Sequence, residues 1–278
     1  MLSLDVLLAS LSARPDPDAL IASFVPPTRF ADKRFGKYQP DPHHPSQAAA
    51  LEHLHKLAAD LLRRSRGGFL RQLKTAIGQG NRGGGAYLDG GFGVGKTHLL
   101  ASLWNVAPGP KAYLSFDELV YTLGLIGVDG TRSAFRDMRL VAVDEWELDD
   151  PGNLKLALAF LRNALEDGTR VVVTSNTVPD ELGRGRFSQK DFAAEIEELA
   201  SAFDVIRIEG EDFRHRTFQA DPGREHFTAP DALAESARTA GDRALFVCFS
   251  DLLAALRRVH PIRYADLAGA IKSLHVQG

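Results

Sequence analysis

From residue 86 onward, short apolar runs alternate with stretches whose apolar positions recur every three or four residues. Ala86 to Leu88, Ala112 to Phe116, Leu140 to Val143, Val171 to Thr174 and Val205 to Ile208 read as strands. Helices are predicted over 97–104 and 117–123, along Leu154, Leu158, Leu161 and Leu165, and along Phe192, Ile196, Leu199 and Phe203. Strands that are apolar along their whole length need cover on both faces. Their alternation with helices predicts an α/β fold, a parallel sheet sandwiched between helical layers.

The flanks read differently. Leu4, Leu7, Leu8 and Leu11 predict a short amphipathic helix within residues 1–14. Residues 24–47 carry Pro26, Pro27, Pro40, Pro42 and Pro45, punctuated by Phe24, Phe30, Phe35 and Tyr38. Proline resists helix and sheet while the aromatics want burial, so an extended arm docked on a domain surface is expected. Leu51, Leu54, Ala58, Leu61 and Leu62 predict a helix that Gly67-Gly68 ends, with a further helix over 69–77 and a glycine-rich break over 78–85. Residues 217–243 are polar without clear period and read as a boundary or insertion. The remainder predicts a strand, a helix capped by Ser250, and a helix through Leu267, Ile271 and Leu274. The expected division is an N-terminal helix, arm and helices over 1–79, a core over 80–216, and a smaller region over 217–278.

Composition narrows the classes. The 278 residues are 44% hydrophobic and 25% charged, which suits a packed core. A net charge of −3 argues against a nucleic-acid partner, since phosphate binding shows as excess Lys and Arg. Cys248 is the single cysteine, so no disulfide forms within the chain. Its run Leu245-Phe246-Val247-Cys248-Phe249 predicts a buried, inert thiol. No stretch approaches the ~20 apolar residues of a membrane helix. The first residues lack a basic segment and are interrupted by Asp5, so neither a signal peptide nor an integral membrane segment is expected, and the location expected is cytoplasmic.

The sharpest chemistry lies at Gly90-Gly91-Phe92-Gly93-Val94-Gly95-Lys96-Thr97, followed by His98. Glycines at this spacing let successive backbone N–H groups turn toward one anion, and the helix that follows adds its positive end. With a strand before it and a helix after it, the pattern predicts a loop holding ATP. Lys96 would reach the β- and γ-phosphates and Thr97 a Mg²⁺ ion. A bare glycine turn with a solvated lysine is the competing reading, and the strand–loop–helix context argues against it.

Two later strand ends face the same region. Leu140 to Val143 delivers Asp144 and Glu145 where open α/β sheets bind ligands. Asp144 suits Mg²⁺, and Glu145 suits orienting and deprotonating a water. Val171-Val172-Val173-Thr174-Ser175 ends in Asn176, whose amide can bond both a γ-phosphate and that water. Hydrolysis also needs a cation on the developing charge. Arg186, with Arg184 in the same glycine-rich loop, is the candidate finger toward a neighbouring subunit, and Arg214 and Arg216 are its rivals. Tyr38 and Gln47 are candidates to contact adenine, with simple packing of the arm as the alternative.

These motifs in this order resemble the AAA+ P-loop ATPases. Val143-Asp144-Glu145-Trp146, Thr174-Ser175-Asn176-Thr177-Val178-Pro179-Asp180-Glu181-Leu182, Asp212-Phe213-Arg214 and Phe249-Ser250-Asp251-Leu252 look like the family of the bacterial cell division protein ZapE and its mitochondrial AFG-like relatives. Trp146 stands where that family usually has Phe, and Gln189, Lys190 and Asp191 stand near where it has arginines. The chain ends before the family's helical lid, so the C-terminal region is expected to be incomplete. The resemblance implies strand order 5-1-4-3-2, ATP hydrolysis, a homo-oligomer, and a protein substrate such as the FtsZ division ring. Alternatives sharing the same core are an ATP-dependent helicase loader on nucleic acid and a non-hydrolysing ATP switch.

Overall fold

The computed structural model describes residues 3–12, 15–66, 84–148, 150–182, 189–212, 230–259 and 263–278. Five strands form one parallel sheet: β1 (Gly85–Asp89), β2 (Lys111–Ser115), β3 (Leu140–Asp144), β4 (Arg170–Ser175) and β5 (Phe203–Arg207). Their order is β2-β3-β4-β1-β5, the order the family resemblance implies. Registers such as Val141↔Val171 and Ala86↔Val172 put like-facing residues side by side.

Because side chains alternate along a strand, the sheet builds two cores. Tyr87, Leu114, Val141, Val143, Val171 and Val173 point to one face. There they meet Leu119 of α5 (Phe116–Phe135), Leu158 and Leu161 of α6 (Pro151–Glu166) and Leu199 of α7 (Ala193–Ser201). Ala86, Leu88, Tyr113, Leu140, Ala142 and Val172 point to the other face. They pack on Leu54 and Leu61 of α3 (Pro45–Arg66) and on Leu99, Leu100 and Leu103 of α4 (Lys96–Val106). The three-layer α/β class expected from the alternation is therefore observed, and the helix expected over 117–123 extends to Phe135. It does so across a break at Gly127, whose φ of 74° lies in the left-handed region. At its start, Ser115 and Glu118 form a reciprocal capping box.

The arm docks. Phe24 and Phe35 are buried, one in each core. The Tyr113 backbone N–H donates to Phe24 O at 2.8 Å, so the arm satisfies a backbone group of the edge strand β2. Asn105 Nδ2 donates to Lys33 O at 2.9 Å and anchors the next stretch to α4. The short helix α2 (Pro17–Ala22) leads into the arm.

Packing divides the chain into two units. Residues 17–218 form one compact unit, and residues 1–16 join 219–278 in a second. The reason lies in α1 (Leu4–Ser12). Its Leu7 is buried with Leu245, Val247 and Leu252, and its Leu8 with Ala255, Val259 and Leu267. In this second unit α8 (Pro230–Thr239) occupies part of the segment read as aperiodic. Strand β6 (Ala244–Cys248) leads into α9 (Phe249–Leu256), whose cap position is Cys248 rather than Ser250. Helix α10 (Tyr264–Ala270) stops before Ile271, and Leu274 belongs instead to β7 (Ser273–Gln277), parallel to β6. Cys248 is exposed, not buried: it is the last residue of β6, whose buried positions are Ala244, Leu245 and Val247. Among the described residues no helix is long and apolar enough to cross a membrane.

Candidate functional site

Strand β1 ends at Asp89, and the chain turns through Gly90–Gly95 into α4. Gly93 and Gly95 have φ of 72° and 96°, conformations that side chains rarely adopt. Space is also closed to them. A Cβ at Gly93 would collide with the Asp212 carboxylate, and one at Gly95 would lie 2.6 Å from Tyr38 Cε2. Asp212 and Tyr38 thus pack closely against the loop backbone at Gly93 and Gly95. Val94 is buried and anchors it, while Phe92 is 64% exposed at its tip.

Lys96 is buried, 8% exposed, and its ammonium is already coordinated. Nζ donates to Gly90 O at 2.6 Å, Gly91 O at 2.7 Å and Asn176 Oδ1 at 2.9 Å. An anion entering the loop can replace carbonyl acceptors one for one, without asking a solvated lysine to become ordered. Asn176 in turn donates from both its backbone N and its Nδ2 to Glu147 Oε1, each at 3.2 Å.

Asp144 closes the floor. Oδ1 accepts from Thr174 Oγ1 at 2.5 Å and from Thr97 Oγ1 at 3.2 Å, and Oδ2 accepts from Tyr113 OH at 2.8 Å. A hydroxyl and a carboxylate oxygen in contact at the start of α4 are hard donors of the kind Mg²⁺ takes, so this pair fits that ion. Burial, then the Asp144 charge, pushes the Tyr113 hydroxyl far up, so it remains a hydrogen-bond donor. Glu145 is accessible as a residue. Partial desolvation first, and then the neighbouring Asp144 charge, still raise its carboxyl above the usual range, against the lowering effect of Arg29. Its backbone has φ of 57°, the one positive value at a non-glycine residue among those described.

The structure thus brings together Lys96, Thr97, Asp144 and Asn176 through direct contacts, with Glu145 next to Asp144. His98, on the first turn of α4, faces away from this cluster toward the arm. Its Nε2 lies 3.2 Å from Arg34 O, its ring meets Tyr38 edge-on at 5.6 Å, and burial pushes its pKa below the usual histidine value. The two adenine candidates are committed elsewhere. Tyr38 OH donates to Val94 O at 3.0 Å, and burial pushes that hydroxyl up to about 12. Gln47 Nε2 donates to Glu209 O and Gln47 Oε1 accepts from Asp41 N, both at 2.9 Å. Arg184, Arg186, Arg214 and Arg216 lie outside the described residues. The sequence reading missed Tyr113 and Thr174, because a tyrosine and a threonine in apolar runs are ordinary strand residues.

A sequence model of the AFG1-like ATPase family matches residues 25–245. The cell division protein ZapE of Escherichia coli K12 is 27% identical over 145 residues, which is 48% of this chain and 39% of that protein. The chromosomal replication initiator DnaA of Streptococcus mutans is 32% identical over 113 residues, 34% of this chain and 24% of that protein. The matched stretches are well under two thirds of either relative. Among solved structures, DnaI superposes with a TM-score of 0.50 at 17% identity, covering 70% of this chain and 98% of that one, a likeness of fold.

Proposed function

This chain belongs to the AFG1-like ATPase family, and we propose that it binds ATP with Mg²⁺ and hydrolyses it to drive rearrangement of a protein assembly. The observation that carries the proposal is the cluster at the sheet's C-terminal edge. Lys96 bonds Asn176 and Thr97 bonds Asp144, with Glu145 next to Asp144 and the glycine loop leading directly into Lys96 and Thr97.

The division of labour follows from the chemistry of each group. The Gly90–Gly95 backbone and Lys96 bind the phosphates, and Thr97 with Asp144 would hold Mg²⁺, which when bound neutralises phosphate charge. Glu145 receives a proton from the attacking water at its carboxylate, and its raised basicity suits that task. Asn176, fixed between Lys96 and Glu147, orients the water and the γ-phosphate. Arg186 of a neighbouring copy completes the site in a homo-oligomer working in the cytoplasm. The resemblance to ZapE makes the FtsZ division ring the first protein substrate to try.

The test is steady-state ATP hydrolysis per subunit across a range of protein concentrations, with Glu145→Gln as control. Specific activity that rises with concentration and is lost in Glu145→Gln supports the proposal. ATP binding without turnover at any concentration refutes it and leaves a nucleotide switch. A second reading, a loader acting on nucleic acid, is favoured by the 32% identical stretch of DnaA. DNA binding that weakens steeply with salt would select it.

A further inference from the structure

We propose that Thr174 is a positioning residue for the two carboxylates of the site: its one hydroxyl locks the metal-holding Asp144 to the backbone of the water-activating Glu145. This rests on the hydrolase reading above and adds to it a residue outside the phosphate loop and the carboxylate pair.

Three bonds converge on Thr174. Its Oγ1 donates to Asp144 Oδ1 at 2.5 Å and accepts from the Glu145 backbone N–H at 3.0 Å. Its carbonyl accepts from the Trp146 backbone N–H at 2.7 Å. A hydroxyl has one proton to give and lone pairs to receive, so both of its bonds are made with correct polarity. Thr174 is 2% exposed, so water does not substitute for it.

The arrangement matters because Glu145 is strained. A glutamate at φ 57° relaxes toward the β or helical region unless its surroundings fix it. Here the N–H groups on both sides of its Cα–C bond, its own and that of Trp146, are tied to the same residue of β4. Trp146 is fully buried against Phe116, at 4.8 Å between ring centroids, and Phe203, at 6.0 Å, which closes the turn from the other side. Thr97 also contacts Asp144, but its hydroxyl is one of the groups that would turn to the cation. Thr174, on the neighbouring strand and not itself part of the phosphate loop, can hold Asp144 throughout the cycle. Valine has the same shape and no hydroxyl. It would leave the Glu145 N–H without its acceptor and Asp144 without its shortest bond.

The experiment compares wild type, Thr174→Val and Thr174→Ser in ATP turnover, in affinity for a fluorescent ATP analogue, and in melting temperature. The expected result for T174V is a fall in kcat of about 10- to 100-fold, the scale of a catalytic group displaced by a fraction of an ångström to an ångström. Analogue affinity should stay within about threefold, since the phosphate loop is untouched. T174S keeps the hydroxyl and should recover most of kcat. Turnover in T174V equal to wild type overturns the inference. So does a T174S defect as deep as that of T174V, which would assign the loss to packing. A wild type with no Glu145-dependent turnover overturns the hydrolase reading and this inference together, so the two failures are distinguishable.

Discussion

Replacing Gln47 by Leu tests whether the arm is held by a clasp or merely lies against the core. Gln47 is 7% exposed, and its amide bridges two distant backbone groups, Asp41 N and Glu209 O, both at 2.9 Å. The neighbouring Ser46 Oγ accepts from the Glu209 N–H at 2.9 Å, so residues 46 and 47 grip both backbone polar groups of Glu209. Gly210 leaves room for this approach, since a Cβ there would collide with Gln47 Nε2. Leucine matches the volume and opens no large cavity, so the change isolates the two hydrogen bonds. Each contributes about 1 kcal/mol net, and loss of this acceptor for the N–H of half-buried Asp41 adds to the cost. Glu209 is exposed, and its carbonyl regains water. The sum is about 1–3 kcal/mol, or a melting temperature lower by about 2–12 °C for a unit of this size. Urea unfolding followed by intrinsic tryptophan fluorescence reads it, since Trp104 and Trp146 both lie in that unit. A stability change below about 0.5 kcal/mol would refute the clasp, because a surface substitution alone does as much.

Three further outcomes are expected. Gly93→Ala forces a side chain into φ 72° and against Asp212, whose Cα would lie 2.7 Å away, so nucleotide affinity measured by calorimetry should fall about 5- to 150-fold, as expected for a loss of roughly 1–3 kcal/mol. Trp146→Phe loses apolar volume, but it also removes an indole N–H that has no partner among the described residues. The two effects oppose, and the melting temperature should move by no more than a few degrees, about 1 kcal/mol. Glu145→Gly should be more stable than Glu145→Gln by up to ~2 kcal/mol, because both lose the carboxylate but only glycine relieves φ 57°. Equal denaturation midpoints for that pair would show that the turn carries no strain.

The sheet was legible because burial on both faces writes itself as unbroken apolar runs, and Val141–Val143 and Val171–Val173 are such runs. The second unit was harder because burial along its two strands is uneven. Leu245 and Val247 point inward while Cys248 is exposed, yet the run reads as fully buried. In Ser273–Gln277 the strand period of two, Leu274 and Val276, overlaps a helical spacing through Leu267, Ile271 and Leu274, and the helical reading is wrong beyond Ala270. Helix α8 shows no apolar stripe in the sequence, because its fully buried position is the small Ala237. The placement of α1 with the C-terminal unit is a contact between chain ends, which no local period encodes.

At the candidate site, spacing identified Lys96, Thr97, Asp144 and Asn176, which the structure joins by side-chain hydrogen bonds. The arm's aromatics and Gln47 were noticed as residue types, but the bonds they make depend on the tertiary approach of residues 94 and 209 to the arm. Thr174 escaped notice for a related reason: a threonine suits a strand whether or not its hydroxyl is used. Its use follows from the turn after β3. Asp144 ends β3 with its carboxylate on the helix-start hydroxyl, and the next residue, Glu145, bends the chain out of the strand at φ 57°. Glycine would make that bend without strain but would bring no carboxylate. Glutamate in the left-handed region therefore needs an external hold, and the adjacent strand supplies it in the hydroxyl and carbonyl of one residue. A local backbone rule is broken where the proposed chemistry needs a carboxylate, and the compensating bonds lie 29 and 28 positions downstream in the sequence, counted from Glu145 and Trp146 to Thr174.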